Sequence, residues 1–352
     1  MSVWARKIVI MKKSNVWKKT EWAGLICIFF ILMVLIHMLW NSGADGEMAD
    51  IRSVSSGWDE KEEALDLPAM VKADQDGKIM LYNNTLTPED KNKVLSINGL
   101  QDQPEVWMGK QCLFWYEEND FLKNDQMKGK MWADVWLAED TGKEPVCLVY
   151  ESNNRASLYI QAPVLGSFPA VSQKHFQESV FSFLMILGMW GTGMVSTIVF
   201  WYMKAHHIVE KRFLDASLFM FICGLWCYLD SGFYQMYGEH GAVGMVLSFY
   251  AFILMSVPML WFVQNTISEK VRWVPQVWIF LLYGNAILQG ILNILFHIPF
   301  VHMLFLTHIM LFFGVISMIC LLWKEYKRNE AEEILVCLLA FATLGVSGMT
   351  GL

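Results

Sequence analysis

The chain has 352 residues, 55% of them hydrophobic, with 16 Trp, 23 Phe, 23 Met and a formal net charge of −7. That is more apolar than a soluble domain of this size, and the excess is segregated into runs of membrane length. An ordinary soluble enzyme and a basic nucleic-acid binder are both excluded.

Residues 1–21 are basic, with Arg6, Lys7, Lys12, Lys13, Lys18 and Lys19. The first apolar run, Trp22 to Trp40, reads as an anchor helix or a signal sequence. About 18 apolar residues exceed the usual signal core of roughly 7 to 15, although Ser42-Gly43-Ala44 supplies the small residues that cleavage needs.

Residues 41–177 form a water-soluble stretch that reads as mostly β. Strands are predicted at Lys78 to Asn83, Val94 to Asn98, Gln111 to Glu117, Met131 to Ala138, Val146 to Glu151 and Ser157 to Ala162, between turn-prone Asp-Gly, Asn-Gly, Thr-Gly and Ser-Asn-Asn segments. Short strands at this spacing imply a sandwich or jelly roll. Between Asp45 and Glu178, 24 acidic residues stand against 13 basic ones, which suits neither nucleic acid nor anionic lipid.

In the strand at Met131 to Leu137, a period of two sends Met131, Ala133, Val135 and Leu137 to one face and Trp132, Asp134 and Trp136 to the other. With the aliphatic face as core, two indoles and a carboxylate lie opposite. They are either a platform on which a sugar ring stacks or a surface covered by another part of the protein. Cys112 and Cys147, each in a predicted strand, allow a bridge between neighbouring strands or two free thiols. No spacing resembles a metal site, and no cofactor motif is present.

From residue 178 to 352 nearly everything is apolar. The predicted spans are Val180 to Tyr202, Phe213 to Tyr234, Val243 to Val263, Val274 to Phe296, Phe300 to Trp323 and Ile334 to Leu352, each near the 20 or so residues that a hydrocarbon core about 30 Å thick requires. Pro258 and Pro275 fall within or at the start of spans, where neighbouring helices can satisfy freed carbonyls.

Lys204, Lys211, Arg212, Lys270, Arg272, Lys324, Lys327 and Arg328 occupy alternate loops, on the same side as the basic N-terminus. The short loops between, Gln235 to Ala242 and His297 to Pro299, hold no Lys or Arg. The positive-inside rule then places the N-terminus in the cytoplasm and residues 41–177 outside the cell membrane, with the final run travelling outward. A cytoplasmic domain would need one more crossing, so a fragment of a longer protein is the favoured reading.

Polar residues within spans are costly and generally face partners or water. Asp230 lies near the outer end of its span, followed by Gln235. Asn285, Gln289 and Asn293 recur every four residues on one helix face, and His302 and His308 lie on the next span. They form either a polar pocket or relay, or hydrogen-bonded glue between helices. His206-His207, in a basic loop beside Glu210, reads as an interfacial loop.

Leu225-Trp226 through Leu229-Asp230-Ser231-Gly232, Asn285-Ala286-Ile287-Leu288-Gln289 and Leu306-Thr307-His308, set after an anchor and an exported β domain, resemble the bacterial seven-transmembrane receptors with diverse intracellular signalling modules. The closest likeness is to the branch of anaerobic Gram-positive bacteria whose members usually continue into a GGDEF diguanylate cyclase. The resemblance covers nearly the whole chain, rests on diffuse helix patterns and carries no catalytic signature. It implies a jelly roll related to carbohydrate-binding modules, a sugar or other polar ligand or an envelope protein as partner, and cyclic di-GMP output from a cytoplasmic domain. It also implies a homodimer through that output domain. The chain departs from the family in having six of the seven bundle helices and no output domain, so a histidine kinase or phosphatase output is equally compatible. A transporter using Asp230 and the Asn285 face is the alternative.

Overall fold

The computed structural model describes residues 50–350 apart from 61–62, 101–103, 116–129, 152–156, 209, 232–233, 235–240, 299 and 330. The first apolar run and Gln235 lie outside the described residues.

The N-terminal part is a β sandwich. Its strands are β1 (Arg52–Ser53), β2 (Trp58–Glu60), β3 (Glu63–Leu65), β4 (Ala69–Lys72), β5 (Lys78–Asn83), β6 (Val94–Leu100), β7 (Pro104–Met108), β8 (Gln111–Phe114), β9 (Lys130–Trp136), β10 (Val146–Glu151), β11 (Ser157–Ile160) and β12 (Val164–Gly166). One sheet runs β1-β12-β6-β9, a second β3-β2-β5-β10-β7-β8, and β11 pairs with β4 alone. Every described strand pair is antiparallel. Alternation does the sorting: Ile79 and Leu81 of β5, Leu148 of β10, Val106 of β7, Leu95 and Ile97 of β6, and Ala133 and Val135 of β9 fill one core.

All six predicted strands are present. The other six were not predicted, and most are short, with two to five residues. Pro104 starts β7 and Pro68 directly precedes β4, positions that proline tolerates. Cys112 and Cys147 do not lie on neighbouring strands. Both stand opposite Trp107, with β7 between them. Two strand spacings of about 4.8 Å exceed the reach of a disulfide. Both thiols are free.

The helices are α1 (Phe168–Ala205), α2 (Arg212–Asp230), α3 (Gly241–Leu254), α4 (Ser256–Thr266), α5 (Trp273–Phe296), α6 (Phe300–Asn329) and α7 (Glu332–Thr350). Among the described residues, five spans, Phe168–Ala205, Arg212–Asp230, Val243–Thr266, Glu269–Phe296 and His302–Arg328, are long and apolar enough to cross a membrane. The break between α3 and α4 follows from Pro258, which lacks an N–H for the Leu254 carbonyl and whose ring crowds it. Pro275, in the first turn of α5, disturbs nothing.

Glycine brings α1 and α2 together. A Cβ on Gly224 would lie 2.4 Å from Trp190 Nε1, so no larger residue fits there without movement. Beside it, Ser217 Oγ donates to the Gly193 carbonyl at 3.0 Å and lies 2.5 Å from Thr197 Oγ1.

Candidate functional site, the junction between sandwich and helices

A single residue, Ser167, separates the last strand from α1. Its N–H donates to Asp50 Oδ2 at 3.2 Å, which fixes the turn. With 38 residues at 1.5 Å each, α1 is about 57 Å long, well beyond the roughly 30 Å of a hydrocarbon core. Its first three turns carry Gln173, Lys174, His175, Gln177 and Glu178 and lie against the sandwich, while the apolar run begins at Val180. Sandwich and helix bundle are thus connected by one continuous helical rod.

The rod is held where the strand pattern put its aromatic face. On β9, Trp132, Asp134 and Trp136 pair across to Asn98, Ser96 and Val94 of β6, and α1 lies over this surface. His175, only 5% exposed, stacks on Trp132 with ring centroids 4.1 Å apart at an interplanar angle of 14°. Its Nε2 lies 3.0 and 3.2 Å from the two oxygens of Asp134 and 3.1 Å from Ser96 Oγ. Phe168 stacks on Trp136 at 5.5 Å. Trp132 and Asp134 are therefore half-buried against a helix, and Trp136 stays exposed, at 56%.

Ser96, His175 and Asp134 have the composition of a hydrolytic triad without its geometry. A triad needs the acid on one ring nitrogen and the hydroxyl on the other. Here both address Nε2, and Nδ1 is buried with no partner among the described residues. The arrangement can position two elements against each other; it cannot activate a serine.

Deeper in the bundle, Asn285, Gln289 and Asn293 are all buried on α5, as the four-residue spacing requires. Asn285 Nδ2 donates to Thr307 Oγ1 at 3.2 Å. Gln289 Nε2 lies 2.9 Å from Asn285 Oδ1 and 2.8 Å from Thr307 Oγ1. Asn293 Nδ2 donates to the Ile298 carbonyl at 3.1 Å, in the turn to α6. The structure brings these three together with Thr307, which sequence reading quoted only for its resemblance value. It does not add Asp230, exposed at the end of α2, or His302, exposed at the start of α6. His308 is half-buried, donates through Nδ1 to the Leu304 carbonyl at 2.8 Å and faces Phe252.

The opposite end of the bundle holds further polar residues, of which Asp215, Asn265, Glu325 and Glu333 were not singled out in the sequence. Asn265 donates to the buried Asp215 at 2.6 Å. Glu325, 2% exposed, accepts from the Ser268 N–H at 3.3 Å and pairs with Arg328 at 3.3 Å. Arg212 pairs with Glu210 at 2.7 Å and with Glu333. Glu325 follows the buried Met318 and Leu322 at helical spacing, and that stripe was the available signal. At the end of α1, His207 takes a left-handed conformation that closes the helix.

No protein family, curated protein or solved structure matches the chain.

Proposed function

We propose that the chain is the sensor half of a membrane signalling receptor. The sandwich lies outside the cell membrane and binds a small molecule or an envelope protein. The helices cross the bilayer and pass the change to a cytoplasmic output, in the manner of the seven-transmembrane receptors that the sequence resembles, with a diguanylate cyclase as the foremost candidate. The observation that carries this reading is the His175 clasp: a soluble β module is joined to an apolar bundle by one uninterrupted helix and fixed to it by buried side chains. Such a joint transmits displacement, whereas a tethered binding domain would need only a linker.

Coupling requires two arrangements of the bundle that differ by a few kcal/mol, with ligand favouring one. The polar set at Asn285 supports packing over transport, because its amide N–H groups are donated to Asn285 Oδ1, Thr307 Oγ1 and the Met303 and Ile298 carbonyls instead of lining an open path.

Reporters fused after Gly238 and after Thr266 test the topology: the first should be active only outside and the second only in the cytoplasm. Reversal of either overturns the receptor reading. In reconstituted vesicles the chain should carry no flux that Asp230→Asn abolishes; flux of that kind would establish the transporter instead.

A further inference from the structure

Besides the β9 face, against which α1 packs, the sandwich carries a second aromatic surface. On the six-stranded sheet the residues alternating with the core run across the strands in one row: Asp59 opposite Tyr82, Tyr82 opposite Cys147, and Cys147 opposite Trp107. Met80 and Glu105 stand one step along, on either side of Val149. Tyr82 and Met80 are 40% and 42% exposed, while Cys147 and Val149 form a closed floor between the rings. Trp107 Nε1 donates to Glu105 Oε2 at 2.9 Å, which holds the indole beside a carboxylate. Each aromatic residue thus has an acid as cross-strand or same-face neighbour, and two strand spacings put the Cα atoms of Tyr82 and Trp107 roughly 10 Å apart.

We propose that this row is a binding site for a small organic ammonium ion. π faces attract cations, and carboxylates beside them add a matching charge. The Cys147 thiol is pushed up by burial, so it stays protonated and the floor stays neutral. A sugar would demand donors as well as acceptors. Here the indole N–H is taken by Glu105, and the Tyr82 hydroxyl lies between the Cys147 thiol and Met80 Sδ, the latter at 3.8 Å. The acidic excess of the whole region, 24 residues against 13, favours a cation before contact.

The site deepens the receptor reading by naming a ligand class, and it is tested separately from topology. The full chain in lipid nanodiscs is titrated by calorimetry with choline and with phenethylammonium, and in parallel with the neutral carbon isostere of choline and with cellobiose. The cations should bind saturably and the isostere at least about tenfold more weakly. Tyr82→Ala should weaken cation binding about tenfold, Asp59→Asn should weaken it less, and Tyr82→Phe should preserve it with an unchanged Tm. No saturable cation binding, equal binding of the isostere, or cellobiose binding lost in Tyr82→Ala would each overturn the proposal. Nanodiscs expose both membrane faces, so a failed titration leaves the reporter result standing, and reversed reporters leave the titration standing.

Discussion

His175 and Asp134, 41 residues apart in sequence, meet at 3.0 Å and join the first long helix to the edge strand β9. Loss of Asp134 leaves the buried His175 without its carboxylate, and loss of His175 leaves the half-buried Asp134 beside the bare Trp132 ring. His175→Ala should destabilise the junction by about 1 to 3 kcal/mol. A double-mutant cycle with Asp134→Asn should return a coupling of about 0.5 to 3 kcal/mol. Hydrogen exchange should rise in the first turns of α1 and, if the rod transmits, also around Gly193 and Ser217. Exchange confined to the first turns would deny the helix a coupling role.

Asp90 gives the sandwich an acid-sensitive point. Burial pushes its carboxyl up, but the Thr87 N–H at 2.9 Å, with Arg52 at 2.5 Å and Lys93 at 3.4 Å, outweighs that and holds it below the ordinary carboxylate value. A depressed carboxyl stabilises the fold above its unfolded value near 4, and the contribution is lost as pH falls through the lower folded value. Asp90→Asn should cost about 1 to 3 kcal/mol at neutral pH and flatten the loss of stability below pH ~4. Acid titrations of Tm for the two proteins give the comparison; parallel curves would contradict the assignment.

Gln289 is the centre of the polar set in the bundle and is fully buried. Gln289→Leu should lower thermal stability by about 0.6 to 1.7 kcal/mol, the range for hydrogen bonds between helices in a bilayer. Asn293→Ala, which removes one bond to a turn carbonyl, should cost no more than that. Asp230→Asn, at an exposed helix end, should stay within about 0.5 kcal/mol of the parent. Denaturation in mixed micelles ranks the three.

Cys112 and Cys147 should remain reduced even in an oxidising compartment, since β7 holds them apart. Burial pushes both thiols up, so alkylation of the folded protein should be slow at Cys112 and slower at the more buried Cys147. Identical gel mobility with and without reductant, together with mass-resolved labelling, checks this.

The sequence by itself determined the division into a β part and an apolar helical part, because hydrophobic periodicity and run length are local properties. It also determined which side of β9 is core, and that Asn285, Gln289 and Asn293 share a face, since periods of 2 and 3.6 need no knowledge of partners. What covers each face is decided by contacts between distant residues, and only the tertiary structure supplied them. His175 looked like one more polar residue ahead of an apolar run until α1 brought it onto Trp132. Tyr82 and Trp107 became one surface through sheet order, because β10 lies between their strands. Glu325 was drawn inside by the turn at Ser268, 57 residues away.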